Sequence, residues 1–263
     1  MTRMARFVDI TKCIACRGCQ VACKQWNQLP GEIGPFTGTY QSHNDLSPNR
    51  WTMIQYYEYK NNQGELQWDF LKKCCLHCGE ASCIKACPND ALRKTDIGTV
   101  MTIKDKCVGC GYCAIYCPFN IPKVDKRTKK MSKCTACVGR IKNNMEEPCV
   151  KTCVTDAIKS GPRDEMVRIA EKRLEEVKGK YPEANLYGVN ELSGLGMIYL
   201  LPQSPSTYDL PENPTAPLSL GLFKNVVQPA GSLALGGTVL GLAGAALISW
   251  RNERMKGGDK KNG

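Results

Sequence analysis

The chain has 263 residues, a formal charge of +11 and 17 cysteines, a length that allows one large domain or two small ones. The cysteine content is far above ordinary usage, and its tight runs exclude a disulfide framework, because cysteines two apart on a turn point into one volume and suit a metal better than each other. The basic excess alone would suit nucleic acid, but no basic and aromatic residues interleave on a recognisable binding motif, so nucleic acid is not an expected partner.

In chain order, residues 1–10 hold no apolar run, and no signal peptide is expected. Residues 6–10 and 53–59 have the β-branched and aromatic content of strands. The first cysteine group is Cys13, Cys16, Cys19 and Cys23, spaced C-x2-C-x2-C-x3-C. The second is Cys75, Cys78, Cys83 and Cys87 followed by Pro88, with a wider middle gap. Residues 91–104 then read as a hairpin turning at Gly98. The third group, Cys107, Cys110, Cys113 and Cys117 before Pro118, returns to the first spacing. The fourth is Cys134, Cys137, Cys149 and Cys153, with eleven residues inserted in the middle. Residues 164–178 place apolar side chains at helical spacing and predict an amphipathic helix lying on the cysteine domain.

Four similar groups in one chain imply internal duplication. The C-x2-C-x2-C-x3-C run before proline is the bacterial ferredoxin pattern, in which the fourth cysteine ligates the other cluster of a pair. The x3 step launches a short helix that carries the fourth thiolate toward a neighbouring cube. Zinc would need only tetrahedral sites and no crossed pairing; a colourless zinc protein is the rival from another class. Anionic iron–sulfur cubes would also account for much of the basic excess.

The run "ITKCIACRGCQVACKQWNQLP" and the following "TGTYQSHNDLSPNRWTMIQYYEY" resemble the iron–sulfur (beta) subunit of formate dehydrogenases. These belong among the four-cluster ferredoxin subunits of molybdenum or tungsten bis-pterin oxidoreductases. The resemblance implies an α+β, loop-rich fold of two pseudo-twofold-related bacterial-type ferredoxin domains, each with two 4Fe-4S clusters. One domain takes residues 1–73 and 118–200, and residues 74–117 form the other, inserted one. It further implies four 4Fe-4S clusters: cluster 1 on Cys13, Cys16, Cys19 and Cys153; cluster 2 on Cys23, Cys134, Cys137 and Cys149; cluster 3 on Cys75, Cys78, Cys83 and Cys117; cluster 4 on Cys87, Cys107, Cys110 and Cys113. The implied role is a non-catalytic electron-transfer subunit, working from a formate-oxidising catalytic (alpha) subunit to a membrane cytochrome b (gamma) subunit and its quinone. The same module in a hydrogenase or a polysulfide or dimethyl sulfoxide reductase is the alternative.

Cys74 fits no group and reads as a structural thiol, and His77 reads as a neighbour of the ligands or a surface residue. Trp26 reads as packing rather than as an electron mediator. Lys12, Lys24, Lys106 and Lys133 are the cations placed to tune potentials, with solvated surface the plainer account of each.

Residues 201–225 contain five prolines between Pro202 and Pro217 and read as a semi-rigid linker. Residues 226–250 lack charge, and as a helix the stretch from Ala230 to Trp250 spans about 31 Å, enough for a bilayer. Gly237, Gly241 and Gly244 give this single transmembrane helix a small-residue face. Arg251, Arg254, Lys256, Lys260 and Lys261 follow it, whereas Lys224 is the lone basic residue in the twenty before Val226. The bias predicts a cytoplasmic tail at residues 251–263 and a cysteine domain on the periplasmic side of the cytoplasmic membrane.

Overall fold

The computed structural model describes residues 2–36, 38–41, 43–61, 64–217, 220 and 228–258. They form two compact units, divided after Ala216.

The first unit is organised by a sheet that the chain closes late. Strand β1 (Met4–Asp9) is followed by the helix α1 (Gly18–Trp26) and a long hairpin of β2 (Thr52–Lys60) and β3 (Leu66–Cys74), in register from Thr52 opposite Cys74 to Lys60 opposite Leu66. Two small hairpins come next, β4 (Leu92–Lys94) with β5 (Val100–Thr102) and β6 (Lys123–Val124) with β7 (Met131–Ser132). The short helices α2 (Ser82–Lys85), α3 (Tyr112–Ile115), α4 (Val138–Lys142) and α5 (Pro148–Lys151) lie among them. Strand β8 (Ile158–Pro162), helix α6 (Arg163–Val177), and strands β9 (Asn185–Tyr187) and β10 (Met197–Leu201) complete the unit. The sheet order is β8-β1-β10-β9, with β1 and β10 parallel and the outer pairs antiparallel.

Alternation along the two central strands sorts side chains between two layers. Ala5, Phe7, Ile198 and Leu200 face α6 and meet Met166, Ala170 and Val177. Val8, Met197, Tyr199 and Leu201 face the other way, into a core that contains Cys19, Cys74 and Cys149. Because both faces of β10 are covered, all five of its residues are buried and apolar. The predicted strands at 6–10 and 53–59 lie on β1 and β2. The predicted hairpin turns at Gly98, whose φ of +79° is the left-handed conformation a glycine supplies freely. The predicted helix at 164–178 is α6.

The linker predicted for 201–225 needs correction over its first part. Leu201 ends β10, and the chain beyond it stays on the core through Ala216. Tyr208 is buried and donates to Asp69 Oδ2 at 2.6 Å, Tyr57 donates to the Tyr208 carbonyl at 3.0 Å, and Tyr187 donates to the Pro211 carbonyl at 2.7 Å. Proline content shaped the expectation, but three tyrosine hydroxyls tie this stretch down. Residues 218–219 and 221–225 of that segment lie outside the described residues.

The second unit contains α7 (Gln228–Gly258), in which Leu233–Arg251 is long and apolar enough to cross a membrane, with a mean hydropathy of 1.7. At Gly237, Gly241 and Gly244 an added methyl group would meet nothing within 4 Å. Residues 226–227, Lys260 and Lys261 lie outside the described residues.

Ile198 is wholly buried between β1 and α6. Ile198→Ala is expected to destabilise the first unit by about 2–5 kcal/mol, measured as an earlier denaturation midpoint of the anaerobic, cluster-loaded protein.

Candidate metal centres

Each cysteine group is built on the same local plan. In the C-x2-C steps the residue just before the second cysteine is left-handed every time: Ala15 at φ 56°, His77 at 48°, Gly109 at 72° and Ala136 at 56°. Alternating hand along such a loop turns successive backbone N–H groups into one concavity, an anion nest of the kind found at iron–sulfur sites. The third cysteine then lies in a short helix, at Cys19, Cys83, Cys113 and Cys149, and the fourth follows four residues on. One helical turn displaces it by about 6 Å along the axis, enough to leave its neighbours' site for an adjacent one.

The thiols gather in crossed sets. One cavity is lined by Cys13, Cys16, Cys19 and Cys153. Another is lined by Cys87, Cys107, Cys110 and Cys113. Burial, followed by the neighbouring thiols of Cys134, Cys149 and Cys137, pushes Cys23 up to about 12. Burial with Cys75, Cys117 and Cys83 raises Cys78. The sets also touch in sequence. Cys149 acts on Cys19, joining the set of Cys13 to that of Cys23, and Cys113 acts on Cys83, joining the set of Cys78 to that of Cys87. Cys75, Cys117 and Cys134 share one apolar cluster, which joins the middle two. Cys16 and Cys110 are exposed, whereas the other cysteines are buried or partly so.

The charge around these thiols tests what they hold. Arg6, Lys72 and Lys133 are each no more than 3 % exposed. Arg6 has Glu147 at 3.5 Å, and Glu147 also accepts from the Ser160 hydroxyl at 2.7 Å. Among the described residues Lys72 and Lys133 meet no carboxylate: Lys72 donates to the Thr52 hydroxyl, and Lys133 donates to the carbonyls of Val100 and Cys134 at 2.5 and 3.1 Å. Burial pulls the Lys72 ammonium down, but Cys74, Cys149, Cys19 and Cys23 outweigh it and hold its pKa well above the usual value. A buried ammonium without a counter-charge costs several kcal/mol, so these lysines call for anions among the cysteines. Anionic thiolate-bound iron–sulfur clusters fit that demand. Amide donors complete the shell: Ala91 N–H to Cys87 at 3.2 Å, Met131 N–H to Cys107 at 3.4 Å, Ala136 N–H to Cys134 at 3.4 Å and the Asn27 side chain to Cys23 at 3.7 Å.

Of the four lysines singled out from the sequence, Lys133 is buried beside the thiols. Lys24 instead binds the carbonyls of Pro30 and Asn49 at 2.6 and 2.9 Å, Lys106 is exposed, and Lys12 is half-buried. Arg6 and Lys72 were missed. Their signal was a cation inside an apolar strand, in "ARFVDI" and "DFLKKC". Cys74 is a fully buried thiol that donates to the Cys75 carbonyl at 3.8 Å, in keeping with a structural role. His77 is not on the surface; it is completely buried beside Cys134. Trp26 is half-exposed, with the Arg140 guanidinium 4.3 Å from its ring centre.

Comparison with known proteins agrees with this chemistry. A 4Fe-4S dicluster domain matches residues 12–91, and a second of the same description matches residues 66–163. The nitrate-inducible formate dehydrogenase iron–sulfur subunit of Escherichia coli (strain K12) is 37 % identical over 244 residues, which covers 91 % of this chain and 83 % of the relative. The formate dehydrogenase iron–sulfur subunit of Haemophilus influenzae is 38 % identical over 243 residues, 90 % of this chain and 78 % of the relative. Formate dehydrogenase 2 subunit beta (cytochrome c-553) of Nitratidesulfovibrio vulgaris is 36 % identical over 212 residues, 78 % of this chain and 95 % of the relative.

At Gly109 an added Cβ would collide with the Lys129 carbonyl, on a backbone whose φ of +72° already disfavours it. Gly109→Ala is expected to lower the iron-to-protein ratio of the purified chain, whereas Ala136→Gly, at an equally left-handed position, leaves it unchanged.

Proposed function

Since this chain belongs to the family of formate dehydrogenase iron–sulfur subunits, we propose that it is the electron-transfer subunit joining a formate-oxidising bis-pterin molybdenum or tungsten subunit to a membrane cytochrome b. When bound, each 4Fe-4S cluster supplies a one-electron donor and acceptor. The chain supplies the ligands: Cys13, Cys16, Cys19 and Cys153 for cluster 1; Cys23, Cys134, Cys137 and Cys149 for cluster 2; Cys75, Cys78, Cys83 and Cys117 for cluster 3; Cys87, Cys107, Cys110 and Cys113 for cluster 4. Its apolar core excludes water from them, and the buried lysines offset their charge.

The observation that carries this reading is the pairing of thiol-lined cavities with exposure. Cys16 and Cys110, the exposed thiols, belong to the first and last sets of the series. Electrons have short paths to a partner at those two places, and the buried middle sets connect them. Apolar side chains surround both, Ile14 and Val154 near the first and Val108 and Ile115 near the last, each more than half exposed. Cluster 1 then serves the catalytic subunit and cluster 4 the cytochrome. Helix α7 anchors the subunit in the lipid of the cytoplasmic membrane, with its small-residue face toward the cytochrome, the cluster domain outside and the basic tail in the cytoplasm.

Detergent-solubilised membranes are expected to yield this chain with a bis-pterin subunit, about sixteen irons per chain and a brown absorption that formate bleaches. An iron content near twelve, or clusters reduced by hydrogen and not by formate, overturns the assignment. In intact spheroplasts external protease is expected to digest the cluster domain; protection places that domain in the cytoplasm.

A further inference from the structure

Beside the last thiol cavity the hairpin of β6 and β7 turns through the stretch "KVDKRTKKM", residues 123–131. Its cations sort into two kinds. Those at the feet are tied inward: Lys123 pairs with Asp45 at 2.7 Å, and Lys130 donates to the Cys107 carbonyl at 2.7 Å. Those at the tip, Lys126, Arg127 and Lys129, are exposed and form no ion pair among the described residues. The carboxylate in the turn is spent on the backbone, since Asp125 Oδ1 accepts from the Arg127 and Thr128 N–H groups at 2.8 and 3.3 Å.

The tip is fixed to the cysteine loop beside it. A Cβ added at Gly109 would fall on the Lys129 carbonyl, and the Met131 N–H donates to Cys107 at 3.4 Å. The same loop carries the exposed Cys110 and the exposed Val108. Lys104 and Lys106, exposed on the turn that leads into Cys107, extend the basic patch, against the exposed carboxylates of Asp90 and Asp105. Lys126, Arg127 and Lys129 stand outside the lining of the adjacent cavity, so they project from the fold instead of closing a pocket.

These tip charges do little for the fold. In water a charge is screened within about 8 Å at physiological ionic strength, and like charges on one turn repel each other. Lys129 also holds a φ of 53°, a conformation that a glycine or asparagine adopts at less cost. Long cationic side chains on a projecting tip supply charge and reach without a shaped wall. That suits laterally mobile anionic headgroups better than a protein surface, which needs complementary shape. We propose that Lys126, Arg127 and Lys129 bind the anionic phospholipid headgroups of the bilayer and thereby turn the Cys110 face of the last set toward the membrane partner. This rests on the assignment above of cluster 4 to the membrane side.

The test places the purified complex in lipid nanodiscs of phosphatidylcholine alone or of phosphatidylcholine mixed with phosphatidylglycerol, and follows tryptic cutting after Arg127. Each cation near an anionic surface adds roughly a factor of five in affinity. Cutting is therefore expected to be at least about tenfold slower in the phosphatidylglycerol discs, with the difference lost at about 1 M salt. Lys126→Gln with Lys129→Gln keeps the Arg127 site and is expected to abolish most of that protection at unchanged iron content. If the double variant fails to hold iron, the lipid and salt dependence of the unaltered chain decides. Equal, rapid cutting in both discs overturns the proposal. Equal protection in both overturns it too, in favour of a protein that covers the tip. Formate is added to the same discs to separate the two readings: bleaching with an unprotected tip sinks the lipid contact alone, and a protected tip without bleaching sinks the formate assignment alone.

Discussion

Everything in the first unit answers to one constraint: negative charge from thiolates must be kept out of water and yet not left alone. A low-dielectric interior penalises an isolated charge far more than it penalises an apolar misfit. The chain meets the penalty with backbone amides turned inward by left-handed residues, and with Arg6, Lys72 and Lys133 buried among the cysteines. The basic excess of the sequence is therefore partly internal, which is why it does not indicate a nucleic-acid surface. It also explains why residues 82–151, which carry most of the cysteines, tolerate so little regular structure. Short helices and two- or three-residue strands suffice where metal sites, rather than apolar core, join the loops.

The duplication suggested by cysteine spacing extends to the backbone. Left-handed residues recur before the second cysteine of every group, and again three residues past the fourth cysteine at Asp90, Asn120 and Asp156. Only at Gly109 does the sequence supply the residue that this conformation favours; at Ala15, His77 and Ala136 a side chain is carried into it. Such strain persists where the surroundings over-determine the geometry. At His77 the cost has an evident return, because the turn places the imidazole between the Val100 amide and Cys134.

The elements legible in the sequence were those with local signals. Four cysteine runs, the glycine of the β4–β5 hairpin, the periodicity of α6 and the apolar length of α7 are each read within a short window. What escaped was set by contacts across the chain. The run Met197–Leu201 is apolar enough for a strand, but its parallel pairing with β1 has no local signature. The proline-rich stretch that follows is held by Tyr57 and Tyr187 from two other segments and by its own Tyr208 on Asp69, so its composition misled. Arg6 and Lys72 looked like ordinary strand charges, because whether a strand residue faces solvent depends on a second layer the local pattern does not contain. The sequence placed His77 beside the ligands or at the surface; it took the fold to show its ring sealed away from solvent.

The parallel pairing of Arg6 with Met197 also imposes an order on synthesis. A strand near the start of the chain waits for a central partner about 190 residues later, and contacts so distant in sequence form slowly. For most of that interval Cys13, Cys16 and Cys19 lie on an emerging polypeptide while Cys153, which lines the same cavity, has not been translated. The nascent chain thus passes through a long interval with reactive sulfur groups uncovered, and any machinery that delivers iron must act before the sheet zips shut around Arg6, or accompany the chain until it does.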